Sequence, residues 1–511
     1  MAGMVVWGLV LAGVVLRVAM WGRAESYWAD EAYLLLNLMG KGWWEVAFGP
    51  LDLVSAPQAA PPVFCWLVKG AEQLWGRGEW AVRGVPMVMS VLAVAVYPLV
   101  ARRVMSPWAV VVTTAVMAVS PRLVLSAGTL KQYAGDVLVA ELVLLAALGG
   151  IWGMGRMGSS PGHMRRLAWA TGVATVGTWV SHPTVFVFSA VAATLIVGGK
   201  LGWRGALVTL PAWVSIGVVY FASARVQADP FFFVYWSDTF VPWERWWTIP
   251  WFVLKGLWGQ FDHVGDGAGV LLFAAVAVGV VAARGGDLGL RLRLAMLAGA
   301  VGVVLLAGAV WKYPFTPSRL TLFLIPVCLL LGGMGLDVVG RWWGGRGRWL
   351  WAVLGVTVAM SGTETVGRVA GGGKVKDVRA AIEFAHRDRS ADERVFVLET
   401  PVRVMAEIYK PEWGADASKP AVVEHVLLGE SREVLGGPGG TRFWVILSSV
   451  RDRRKQASRE LADLIDQIGV PVDLNASLTG ARGEALRFTV PEGEKAVVRG
   501  AYPFRMYMGD R

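Results

Sequence analysis

Cysteine is nearly absent from this 511-residue chain: Cys65 and Cys328 are the only two, far apart and each set among apolar residues. A disulfide framework or a cysteine metal site therefore has no support, and two buried free thiols is the simpler reading. Histidine is almost as scarce. His163, His182, His263, His386 and His425 include no pair at metal-ligand spacing. A looser group, Asp262, His263 and Asp266, is the one place a divalent cation would fit, and no cofactor is otherwise expected. Walker loops and Gly-x-Ser-x-Gly elbows are missing. The run Gly436-Gly437-Pro438-Gly439-Gly440 leads into a strand pattern, so it reads as a turn or linker. There is no internal repeat.

A net charge of +11 invites nucleic acid as a partner, but its distribution argues against it. From Lys374 onward there are 22 basic and 21 acidic residues, which leaves 27 and 17 of the chain's 49 and 38 for the first 373. The excess lies in the apolar part, where a positive-inside bias accounts for it. No basic stripe with interleaved aromatics occurs, so no nucleic-acid partner is expected.

What the chain has in quantity is apolar sequence: 55% hydrophobic residues and a mean hydropathy of +0.51. Runs of about twenty apolar residues recur, each long enough for a hydrocarbon core of ~30 Å. Twenty-seven tryptophans suit a protein anchored at two membrane–water interfaces. Transmembrane helices are expected near 4–20, 80–101, 107–125, 135–154, 166–181, 183–198, 205–224, 268–284, 293–311, 319–337 and 348–364, about eleven in all. The first run lacks a basic leader and a small-residue cleavage site, so it reads as a retained helix.

Basic residues fall in alternate loops: Arg102/Arg103, Arg156/Arg165/Arg166, Lys200/Arg204, Arg284/Arg291/Arg293 and Arg341/Arg346/Arg348. By the positive-inside rule these loops are cytoplasmic. Segments 21–79, 126–134, 225–267 and 312–318 are then external, as is everything after about 365. A miscount in 166–198 would move the C-terminus to the other side. Within 21–79, the stretch Val63–Trp75 is amphipathic and suits the interface plane. Segment 225–267 is crowded with Phe, Tyr and Trp and should dip into the membrane boundary. From Lys374 the character changes: helix patterns at Lys374–Arg389 and Ser458–Ile468 alternate with strand patterns at Val395–Leu398, Phe443–Leu447 and Leu486–Val490. This reads as a small α/β domain over 374–511, following a membrane domain over 1–365.

Four external clusters could carry chemistry. The first is Tyr27-Trp28-Ala29-Asp30-Glu31-Ala32-Tyr33. A carboxylate at a low-dielectric boundary holds protons more tightly and can serve as a general base; ordinary solvated or capping acids fit the same pattern. The second is Lys131-Gln132-Tyr133-Ala134-Gly135-Asp136. Lys131 would bind a phosphate as a point charge. Asp136 would lie at or below the membrane surface, where ionisable groups are costly, or else cap its helix. The third is His182, in Ser181-His182-Pro183-Thr184, suited to contact a phosphate or to sit in a simple turn. The fourth is Lys312-Tyr313 with Arg319, suited to a phosphodiester or to snorkelling at the membrane edge. All four fall on one face at helix ends, and independent bland readings do not require that. Acids to activate an acceptor, cations for a leaving phosphate and aromatics to stack on sugar and prenyl groups make one coherent set. A transporter or flippase of lipid-linked sugars is the alternative; it predicts repeated halves and a broken helix, which the sequence does not display. A membrane scaffold presenting the tail is a third reading.

The motif order is similar to that of the integral-membrane GT-C glycosyltransferases, in particular the dolichyl-phosphate-mannose–protein mannosyltransferases and the aminoarabinose lipid A transferases. The matching features are Trp28-Ala29-Asp30-Glu31-Ala32-Tyr33 after the first helix, then Ala60-Pro61-Pro62-Val63-Phe64-Cys65-Trp66-Leu67. Leu74-Trp75-Gly76 with Trp80-Ala81-Val82-Arg83, Ser120-Pro121, Lys131-Gln132-Tyr133 and Tyr313-Pro314 to Arg319-Leu320 follow. The resemblance covers roughly residues 1–340. It implies a GT-C fold and inverting transfer of a sugar from a polyprenyl-phosphate donor. The acceptor would be an external glycan, lipid or protein, at the plasma (inner) membrane. It implies Asp30 as the base, Glu31 as its supporting acid and Asp136 as an acid near the site. Lys131, Lys312 and Arg319 would contact the carrier phosphate, with Tyr133, His182 and Tyr313 lining the substrate. The Lys or Glu that often precedes the Pro pair in the aminoarabinose enzymes is absent, since Gln58, Ala59 and Ala60 stand there. One expected phosphate contact is thereby lost.

Overall fold

A computed structural model of the chain describes residues 2–53, 57–149, 160–264, 268–283, 288–343, 348–372 and 378–388. In the tail it describes 394–397, 404–405, 408–409, 422–424, 442–447, 473–479 and 484–489. Two compact units emerge: Met1–Ala24 with Asn37–Gly372, and Glu25–Leu36 with Gly373–Arg511. The turn carrying Asp30 and Glu31 thus groups with the tail, whereas the sequence pattern puts all of 21–79 with the membrane helices.

The first unit is helical. It holds α1 (Ala2–Gly22), the later part of α2 (Ala29–Gly40), α3 (Trp43–Phe48), α4 (Pro62–Trp75), α5 (Glu79–Ala101), α6 (Pro107–Val119), α7 (Pro121–Ala127), α8 (Tyr133–Ala147) and α9 (Ser160–Gly177). It continues through α10 (Thr184–Gly198), α11 (Gly202–Val219), α12 (Pro230–Tyr235), α13 (Ile249–Asp262), α14 (Ala268–Ala283), α15 (Leu288–Ala309), α16 (Ile325–Trp343) and α17 (Arg348–Gly367). Proline opens α4, α6, α7 and α12, where its fixed φ suits the first turn and its missing N–H is not needed.

Five helices among the described residues are long and apolar enough to cross a bilayer: α1, α5, α11 with its π-helical end, α15, and Arg319–Gly340, which includes most of α16. The α6–α7 pair makes a sixth if counted as one bent span. The shorter apolar helices α8 and α10 have only 15 residues each, and α8 stops before 150–159, which fall outside the described residues. The apolar outer faces agree with a multi-pass membrane protein. Leu11 and Val15 on α1, and Leu207, Leu210 and Val214 on α11, are exposed, a surface that hydrocarbon accepts and water does not. In the aromatic segment Trp246 and Trp251 remain 69% and 66% exposed, as interfacial anchors do.

The expected helix over 107–125 is broken. The two halves meet at 52° across Ser120, because Pro121 offers no N–H to the Met117 carbonyl and forces Ser120 out of the helical region. The freed carbonyls are met by side chains. Arg17 Nη2 donates to Met117 O at 3.1 Å, Arg17 Nη1 to Ala118 O at 3.0 Å, and Thr365 Oγ1 to Val119 O at 2.6 Å. Elsewhere small residues allow close packing: a Cβ on Gly335 of α16 would lie 2.0 Å from the Ala275 carbonyl of α14, so only glycine fits that crossing.

The second unit carries a five-stranded sheet of order β2-β1-β3-β5-β4. Its strands are β1 (Arg394–Val397), β2 (Val422–Glu424), β3 (Arg442–Leu447), β4 (Asp473–Thr479) and β5 (Glu484–Thr489). β1 runs parallel to β2 and β3, and β5 is antiparallel to β3 and β4. Helix α18 (Val378–Asp388) packs on β3 and β5. It buries Val378, Ala381, Ile382 and Ala385, the i, i+3, i+4, i+7 stripe of an amphipathic helix. The helix expected at Ser458–Ile468 and the run Gly436–Gly440 lie outside the described residues.

Candidate functional site

In the second unit, α2 begins at Ala29, and Glu31 occupies its third position. The Glu31 carboxylate turns back to accept the Trp28 N–H at 2.9 Å, the acidic half of a capping box. Glu31 is 3% exposed and Asp30 is half-buried. One residue earlier, the Tyr27 N–H donates to the Tyr409 hydroxyl oxygen at 3.0 Å, and the two rings stack with centroids 5.8 Å apart. The paired acids therefore differ: Glu31 holds the turn, and Asp30 is carried by it.

The first unit gathers most of the other expected residues around the N-terminal end of α8. Lys131 is buried and donates to Gln58 Oε1. Its charge also reaches the buried Cys65 thiol, which burial pushes up to about 12 and the ammonium pulls the other way. Beside this pair, Gln132 Nε2 donates to Ala59 O at 3.4 Å, and the Ala60 N–H donates to Gln227 Oε1 at 2.9 Å. Asp136, one turn into α8, is 4% exposed and has Ser181 next to it. Among the described residues Thr184 Oγ1, Gln132 Oε1 and His182 Nε2 have no hydrogen-bond partner, and Asp136 Oδ1 and Ser181 Oγ have no bond of normal geometry beyond the approach of the Ser181 hydroxyl to the Asp136 carboxyl. Desolvation holds His182 down to about 4, so its ring is neutral at pH 7.

Tyr313 joins this group. Its hydroxyl donates to Leu320 O at 2.6 Å, its ring centroid lies 4.7 Å from that of Phe186, and the 3-10 turn Arg319–Leu324 packs on α8. Burial, then the charges of Asp136 and Tyr133, push the Tyr313 hydroxyl well above its ordinary range. Lys131, Tyr133, Asp136, His182 and Tyr313 thus fall in one neighbourhood. Lys312 is exposed, and Arg319 sets its guanidinium 5.9 Å over the Trp236 ring. Gln58, Gln132, Ser181, Thr184 and Gln227 were not singled out from sequence. Their only signal was adjacency to motifs that were.

Asp262 is exposed and Asp266 lies outside the described residues. His263 is buried and held down to about 3 by burial and by the Arg122 charge, against an opposing Ser318 backbone hydrogen bond. No group of three or more His, Cys, Asp or Glu among the described residues could hold a metal ion.

No family model and no curated protein sequence matches this chain. Solved structures do. ArnT from Cupriavidus metallidurans bound to undecaprenyl phosphate aligns at TM-score 0.52 and 15% identity, covering 95% of this chain and 98% of that one. The chain shares the fold of ArnT. The apo form of ArnT aligns at TM-score 0.47 and 14% identity, covering 94% and 98%. An oligosaccharyltransferase from Archaeoglobus fulgidus in complex with zinc and sulfate aligns at 0.47 and 14%, covering 79% of this chain and 61% of that one. ArnT is an aminoarabinose lipid A transferase of the GT-C class, so the GT-C resemblance expected from motif order is met at the level of the fold.

Proposed function

We propose that the protein transfers a sugar from a polyprenyl-phosphate donor to an acceptor on the extracytoplasmic side of the plasma membrane. The observation that carries this reading is the buried cluster at the head of α8. A buried ammonium, Lys131, lies just before α8, and the first turn of α8 and the Ser181–Thr184 turn carry under-satisfied polar groups at Gln132, Asp136, Ser181 and Thr184. Buried polar groups without partners are costly unless something else supplies the hydrogen bonds. A hydroxyl-rich sugar on a phosphate supplies them. An apolar groove of about 1090 Å³ between α4, α5, α8 and α9, lined by Trp66, Leu74, Trp80, Val88 and Trp169 among others, has the chemistry to take a prenyl chain. ArnT itself was solved holding undecaprenyl phosphate.

In this reading Asp30 takes the proton from the acceptor nucleophile. The nucleophile attacks the anomeric carbon as the bond to the phosphate oxygen breaks, so the centre inverts and polyprenyl phosphate leaves with the electron pair. Lys131, with Lys312 and Arg319, stabilises the charge that develops on the leaving phosphate. Glu31 keeps Asp30 in place by holding the helix start. We take 1–365, whose turn Glu25–Leu36 groups with the tail, as the membrane catalytic domain, and 374–511 as an extracytoplasmic domain.

Purified protein supplied with polyprenyl-phosphate sugars and candidate glycan, lipid or protein acceptors should yield a glycosylated acceptor by mass spectrometry. Asp30→Asn should lower turnover by about 10³-fold, in the range of a lost general base. Wild-type turnover in Asp30→Asn would remove Asp30 from the role. The 52° break between α6 and α7 gives the second reading, a transporter of lipid-linked sugars, one structural point in its favour. Movement of donor across vesicles with no transfer to any acceptor would favour it.

A further inference from the structure

We infer that Tyr409, from the C-terminal tail, is a positioning residue that sets the turn bearing Asp30. This rests on the reading of Asp30 as the general base. The backbone just before α2 offers two successive N–H groups that no helix bond satisfies. Trp28's is met from inside the turn, by Glu31. Tyr27's is met from 382 residues away, by the hydroxyl of Tyr409. Tyr27 is 0% exposed, so its N–H has no recourse to water if that oxygen is removed. The stacked rings, 5.8 Å apart and 22° from parallel, add a second tie. Around Tyr409 the tail is packed, with Val404, Met405 and Ile408 all buried. The same second unit holds Glu25–Leu36 and the tail, so the acid and the residue that fixes its turn belong to one body.

The tail therefore acts on the reaction through Asp30 and not through the donor. Displacing a reacting group by about 1 Å can lower a rate by about 10²-fold while leaving substrate binding intact.

Two full-length variants test this, assayed in purified form with the same donor and acceptor. Tyr409→Phe keeps the ring and removes the oxygen. Tyr409→Leu removes both ties. The expected result is a graded fall in kcat, about tenfold for Tyr409→Phe and about 100-fold for Tyr409→Leu. KM for the lipid donor should stay within about twofold in both. A thermal melt run in parallel measures the folded fraction. A kcat per folded molecule equal to wild type in Tyr409→Leu overturns the inference. So does a fall in which donor KM and kcat change together while Tyr409→Phe restores nothing. Asp30→Asn is run beside them: if it turns over like wild type, the base assignment has failed, and that result is distinct from a failure of Tyr409.

Discussion

Two buried ionisable side chains of the helical unit are handled in opposite ways. Arg17 is 0% exposed and directs its guanidinium to Gly13 O, Ser90 Oγ, Met117 O and Ala118 O, all within 3.1 Å. With five N–H donors available, it is close to saturated by the protein itself. Asp136 is equally deep, yet among the described residues one of its oxygens has no bond of normal geometry beyond the approach of the Ser181 hydroxyl, and Ser181, Thr184, Gln132 and His182 around it are likewise under-satisfied. A saturated buried charge is a fastener. In the proposed function, the unsaturated group of polar atoms at these helix ends is what a bound sugar would satisfy. Glu141 tests the distinction: both its oxygens lack hydrogen bonds, but it lies against the charge of Arg17. Its partner is electrostatic and internal, so it sides with the fasteners.

The largest effect that would break this comparison concerns Arg17. Replacing it with Met leaves the Met117 and Ala118 carbonyls orphaned at the α6–α7 break and strands Glu141. Removing one partner of a buried charge network typically destabilises by about 3–5 kcal/mol, so Arg17→Met should unfold at markedly lower temperature or denaturant. The molecules that do fold should turn over donor at the wild-type rate. A large loss of turnover with unchanged stability would place Arg17 with the ligand-binding groups.

Lys131 should show the reverse. Lys131→Met removes the bond to Gln58 and also removes a buried ammonium. Stability should change by about 1 kcal/mol or less. Affinity for the polyprenyl-phosphate donor should fall by about 10–100-fold, the range of a charge-assisted hydrogen bond. Titration of donor binding, with Asp136→Asn in parallel, measures it. A donor affinity equal to wild type would return Lys131 to the role of tying a turn to a helix.

Much of this was legible beforehand, and the gaps have physical causes. Apolar runs and the alternation of arginines point to a multi-pass membrane chain, because hydrocarbon imposes its length and polarity on every crossing. Tyr27–Tyr33 and Lys131–Asp136 stood out because acids and cations beside interfacial aromatics are conspicuous. Capping was one reading of the Asp30–Glu31 pair, but which of the two acids caps depends on where the helix starts, and position three is known only once the start is known. Pro121 was visible, but the 52° break it causes depends on Arg17 and Thr365 being at hand to receive the carbonyls. Gln58, Gln132, Ser181, Thr184 and Gln227 are individually ordinary residues, and only proximity makes them a site. The link from Tyr409 to Tyr27 spans 382 of the chain's 511 residues, and no local pattern encodes a contact of that range.

The smallest effect is a pH dependence, and it asks whether the unsaturated cluster is dry. The ring of His182 is held near 4 against an ordinary value of 6.5, by desolvation. Between those two values the unfolded chain binds a proton there that the folded protein refuses. Stability should therefore be fully present above about pH 6.5 and should decline as the pH falls toward 4. His263, held near 3 for the same leading reason, adds to the slope with the same sign. His182→Gln should flatten the decline by about 1 kcal/mol, after allowance for the partial exposure of the ring, while the His263 portion remains. Denaturant unfolding from pH 7 to pH 4 measures it. If the variant and wild type decline in parallel, water already reaches His182, and the unpartnered atoms beside it are solvated rather than held ready for a sugar.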